Sequence, residues 1–163
     1  MAQDAMRKLF VQGLQALHTS GEEGSKSAAA NLAAASASEL KEALRDGSEL
    51  AKRHAERIQQ LFQMVGTQPG STDNPILRGI QAVNERILDA SDDAQTRDAG
   101  IIATGQIALH YHIAAFGTLG AHAKALGLTE AAGLLHQMVE DCKRMDERYT
   151  KIAERVVNPQ AAA

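Results

Sequence analysis

The chain has 163 residues, a length suited to one domain that buries roughly two-thirds of the surface its unfolded form exposes. Seventeen basic and twenty acidic residues, spread without a basic block, and an aromatic content of 3% exclude the charge footprint and stacking platforms of a nucleic-acid binder. No window approaches the ~18 uninterrupted apolar residues of a membrane span, the N-terminus has no signal-peptide core, and the lone Cys142 forms no intrachain disulfide, so a cytoplasmic protein is expected.

From about Ala5 to Ala35, the positions Phe10, Leu14, Leu17, Gly21, Gly24, Ala28 and Ala35 recur at helical spacing, with Asn31 interrupting, and predict a first long helix. Glycine inside a helix costs about 1 kcal/mol relative to alanine. Gly21 and Gly24 therefore mark either close helix packing, the favoured reading, or a space left open. Ser36-Ala37-Ser38-Glu39 has the form of a capping box and starts a second helix near Ala37, which ends at Gly66. Its stripe of Leu40, Leu44, Gly47, Ala51, His54, Ile58, Leu61 and Val65 puts His54 on the buried side, with Lys52 and Arg53 facing water.

The segment 67–75 is rich in turn formers, with Asn74 as N-cap and Pro75 at the first helical position. A short third helix from Pro75 to Ala90 is expected to carry Ile76, Ile80, Val83 and Ile87 inward. Ser91-Asp92-Asp93 breaks it and caps a fourth helix, Asp93 to Leu126, which ends at Gly127. In that helix Ile102, Gly105, Leu109, His112, Phe116, Leu119 and Ala123 share one side, so a second histidine sits in the middle of an apolar stripe. Thr129 caps a last helix, Glu130 to Val157. Its seam of Ala131, Leu135, Met138, Cys142, Met145, Tyr149, Ile152 and Val156 alternates steps of four and three, the pattern of left-handed bundle packing. Two helical hairpins joined by a connection with its own small helix predict an all-α four-helix bundle with one crossover. Residues 1–158 form the single domain, and 159–163 are expected to be a disordered tail.

Leu9-Phe10, Glu56-Arg57-Ile58, Arg97-Asp98-Ala99, His110-Tyr111, Ile113-Ala114, Gly117-Thr118-Leu119, Ala131-Ala132 and Leu134-Leu135 follow one another in an order that resembles the YciE/YciF family of ferritin-like stress proteins. The resemblance runs from Leu9 to about Ala153 and implies a ferritin-like bundle, a homodimer, and two metal ions held by carboxylates between the main helices. It also implies glutamates where this chain has Gly21, Leu50, Leu109 and Cys142, and a glutamine and a glutamate at the positions of His54 and His112. Only Asp146 agrees with that pattern. Glu49, beside one lost position, turns away from the seam, and Glu22 restores another only if the helix carries a bulge. Leucines in place of carboxylates make the centre apolar and point to ordinary packing there.

His54, His112 and Asp146 remain as candidate ligands for a single iron, manganese or zinc ion, with Cys142 and His18 adjacent. The competing reading, which is preferred, has both histidines neutral and sharing a hydrogen bond across the core with Asp146 or a water, with no metal and no other cofactor. A third places a small-molecule or haem-like pocket beside Gly21, Gly24, Gly47 and Gly105. Cys142 reads as a small buried apolar residue, and His110, His122 and His136 as surface or interface residues. The expectation is a stress-associated, non-catalytic homodimer with a degenerate metal site, set against a metal-binding protein or oxidoreductase with a histidine-containing core site.

Overall fold

Apolar spacings of three and four run the length of the chain, and every regular element among the described residues is helical. The computed structural model describes residues 2–162, with the side chains of residues 2, 20–23 and 25 outside that description. The expectations at Gly21 and Glu22 therefore lie outside it. The elements are Ala2–Ala34 (α1), Ser38–Met64 (α2), Pro75–Ala90 (α3), Ala94–Ala125 (α4), Thr129–Ile152 (α5), a π-helical turn Ala153–Val157, and a last helical turn Asn158–Ala161 (α6). The α1–α2 and α4–α5 hairpins pack together through α2 on α5 and α1 on α4, while α3 lies in the crossover against α4 and α1. This is the four-helix bundle predicted from spacing. Among the described residues, no helix is long and apolar enough to cross a membrane.

Most helix ends follow local sequence. Asn74 accepts a hydrogen bond from the Leu77 amide at 3.1 Å with Pro75 in the first turn, and Asp93 accepts from the Thr96 amide at 2.7 Å. Gly66 and Gly127 take φ values of 65° and 75° just past α2 and α4, where a side chain would be strained. Two starts differ from expectation. Ser36 forms no capping box; Ala37 is the N-cap of α2, and no side chain caps it locally. The Asp98 carboxylate arrives from α4 instead. It accepts from the Ser36 hydroxyl at 2.6 Å, the Ser36 amide at 2.8 Å and the Ala37 amide at 2.7 Å. These charge-assisted bonds offset the burial of a carboxylate that is only 1% exposed. Likewise Leu128 is the N-cap of α5, and Thr129 is already helical.

The inward face of α3 is also rotated from the predicted one. Leu77 and Asn84 are buried, whereas Ile76 and Val83 are 62% and 43% exposed. Asn84 points inward because it has partners there: its amide donates to Asn31 Oδ1 at 2.8 Å, and it accepts from the Thr104 hydroxyl at 2.8 Å. Asn31, which interrupts the apolar stripe of α1, is therefore an inward residue paired across the bundle. At the far end the α5 seam holds to Ile152, after which the π turn shifts the register so that Val157 is buried. The helix then runs through Pro159, which sits in the first turn of α6, where a missing amide proton breaks no bond. Asn158–Ala161 is thus a helical turn.

The core divides into two parts. One is built around Phe10, Leu14, Leu61, Phe62, Phe116, Leu135 and Met138, the other around Leu40, Leu44, Ile101, Ile102, Tyr149 and Ile152.

Candidate functional site

Between the two halves of the core lies a cavity of about 250 Å³ reached by side chains from all five long helices. Small residues make the room: Gly24 and Ala28 from α1, Gly47, Ala51 and Ala55 from α2, and Gly105 and Ala108 from α4 all line it. A Cβ built on Gly24 meets no atom within 4 Å, so this glycine leaves a space open and does not serve close packing. Gly105 is the opposite case. There a Cβ would come within 2.7 Å of the Tyr149 ring, so close approach of α5 requires glycine. Leu50 and Leu109 stand on the wall of the cavity without filling it, contrary to the expectation of ordinary packing at the centre.

Both mid-stripe histidines face this space. His54 and His112 meet at Phe116, His54 edge-on with ring centroids 5.3 Å apart and His112 stacked at 5.5 Å. Burial lowers the pKa of each; for His112, burial and then the neighbouring His54 bring it down to about 4. His54 Nε2 lies 3.3 Å from Asp141 Oδ2, and that same oxygen accepts from Arg57 at 2.5 Å. Burial alone would raise the Asp141 carboxyl, but the bonds from Arg57 and His54 together hold it below its ordinary value. Arg144 also donates to Asp141. The partner of His54 is thus Asp141, not Asp146.

Asp146 lies apart from the two histidines. One residue beyond Met145, it is turned about 100° from the cavity wall toward α4, where it accepts from Gln106 Nε2 at 3.1 Å and lies 3.3 Å from His110 Nε2. Cys142 does line the cavity, but it is 2% exposed and burial pushes its thiol up to about 12, so it behaves as a small apolar residue. His18 lines the opposite wall, edge-on to Phe62, and its buried Nδ1 has no hydrogen-bond partner. His110 and His136 are exposed, and His122 is half-buried with its Nδ1 unpartnered.

The two-metal centre implied by the family resemblance does not fit these residues. Hard cations need several converging carboxylates, and the wall offers leucines, a protonated thiol and the imidazoles of His18, His54 and His112, with no carboxylate among its described residues. Among the described residues, no three His, Cys, Asp or Glu side chains come together as a metal ion would require. Glu49 faces water, as its helical position predicts, and pairs with Lys52 at 2.7 Å.

Sequence reasoning missed Asp141, Asn84, Thr104, the capping role of Asp98, and Gln81, which lines the cavity with its Nε2 buried and unpartnered. Asp141 precedes a seam residue, and its partner Arg57 lies one turn after His54, but nothing local links them. The Asn31 interruption was a usable signal, because a polar residue within an apolar stripe needs a partner across the core.

The DUF892 family model, described as a domain of unknown function, matches residues 5–162. Protein YciF of Escherichia coli is 38% identical over 82 residues, covering 50% of this chain and 49% of that protein, so the match spans about half the length of the curated relative. The crystal structure of the E. coli stress protein YciF superposes with a TM-score of 0.88 at 26% identity, covering 94% of this chain and 97% of that one. YcfI from Rhodopseudomonas palustris gives a TM-score of 0.86 at 25% identity, covering 89% and 92%.

Proposed function

Since this chain belongs to the DUF892 family, we propose that it is a stress-associated, ferritin-like bundle of the cytoplasm that acts without a redox metal centre, as a non-catalytic homodimer. The observation that carries this reading is the composition of the central wall. Leu50, Leu109 and Cys142 occupy it, and the carboxylate that contacts His54, that of Asp141, is already engaged by Arg57 and Arg144. The solved E. coli relative, a stress protein, supports the stress association. For the dimer, support comes from the outer faces of α3 and α4. There Ile76, Val83 and Ile107, 62%, 43% and 52% exposed, flank a shallow apolar groove suited to a second copy.

Purified protein incubated with iron(II), manganese(II) or zinc(II) and then desalted is expected to retain far less than one ion per chain by elemental analysis. Stoichiometric metal that is lost on His112→Ala would overturn the reading. Sedimentation should give twice the chain mass, with Ile107→Glu reducing it to the single-chain mass. A wild-type monomer at micromolar concentration rejects the dimer.

A further inference from the structure

We propose that the central cavity is a binding site for an uncharged, largely apolar small molecule of fused-ring size that carries a hydrogen-bond acceptor. The proposal goes beyond the function above but rests on one part of it, that no metal occupies the bundle centre. Size comes first. A dry apolar cavity of about 150 Å³ accepts benzene, so about 250 Å³ accommodates roughly ten non-hydrogen atoms, the scale of two fused rings. The lining chemistry then selects the class. Among the described residues no lysine, arginine, aspartate or glutamate lines the cavity, so a charged ligand would be desolvated without a counterion. The rings of His54, His112, Phe116 and Tyr149 supply flat apolar surfaces.

The polar requirement is equally specific. Gln81 Nε2 is buried with no partner, and so is His18 Nδ1, while the neighbouring Asn31, Asn84 and Thr104 satisfy one another. An amide nitrogen only donates, so the missing group opposite Gln81 is an acceptor, as in a carbonyl or ether. An unmet buried donor is costly, and a ligand oxygen beside it regains that cost. Ala51 of α2 both lines the cavity and is exposed, so the cavity meets solvent at that residue.

Two probes of similar shape test this: coumarin, which carries a lactone acceptor, and naphthalene, which carries none. Each is titrated into the intact protein by ligand-observed NMR, with thermal unfolding of every variant in parallel. Wild-type protein should bind both saturably, coumarin more tightly. Gly24→Leu fills the open space and improves helix propensity, so it should melt no lower than wild type and weaken both probes at least about tenfold. Gln81→Leu should weaken coumarin about five- to tenfold, the loss of one hydrogen bond, and leave naphthalene within about twofold. No saturable binding of either probe, unchanged binding in Gly24→Leu, or equal effects of Gln81→Leu on the two probes overturns the proposal. Stoichiometric metal in the elemental analysis would overturn the metal-free reading, whatever the probes do.

Discussion

Asp98 shows how much one buried side chain organises here. Its carboxylate takes three donors from the α1–α2 corner while lying on α4, so it ties the two hairpins together. Asp98→Ala leaves two backbone amides without their acceptor and should cost about 3 kcal/mol in urea unfolding, with Asp98→Asn losing less because one acceptor oxygen remains. An Asp98→Ala protein as stable as wild type would show that water replaces the carboxylate freely. His54 was recognisable from its place in an apolar stripe, whereas Asp141, 87 positions away, was not. Helical periodicity reports which way a side chain points and says nothing of what it meets.

Among the elements, the glycines divide by what lies opposite them. A Cβ on Gly47 would sit 3.8 Å from the Tyr149 hydroxyl, an ordinary contact, whereas on Gly105 it would strike the Tyr149 ring. Gly47→Ala should therefore gain up to about 1 kcal/mol from helix propensity. Gly105→Ala should lose about 1–3 kcal/mol through displacement of a packed ring. Equal thermal shifts of one sign for the two variants would contradict this geometry. Identical residues in similar stripes read alike in sequence and are separated only by the facing helix. The same holds for α3. Both an Ile76–Ile80–Val83–Ile87 edge and a Leu77–Asn84 edge exist, and the polar partners Asn31 and Thr104 decide which one turns inward.

For the whole molecule, the histidines at the cavity set the response to acid. Burial lowers both from the ordinary value of 6.5, His112 to about 4, so below 6.5 the unfolded chain takes up protons that the folded chain refuses. Their contribution is complete above that value and is lost as pH falls from 6.5 toward about 4. The unfolding midpoint should drop between about pH 7 and pH 5, and His112→Phe should flatten that slope. A flat wild-type profile would place both imidazoles in water. Below about pH 4 the loss of the Asp141 charge should add to the decline, since its folded pKa lies below its ordinary 3.8.

By itself the sequence determined the helices, most of their ends, the bundle layout and the burial of His54, because these follow from spacing along one chain segment and from caps a few residues apart. The expectation of lost carboxylates at the centre came from the family resemblance and not from spacing. Only the tertiary structure decided that the centre is a cavity and not filled core, that Asp141 and not Asp146 meets His54, and that α3 turns Asn84 inward. Those outcomes depend on volumes and donors brought together from different helices, and no periodicity within a single helix encodes them.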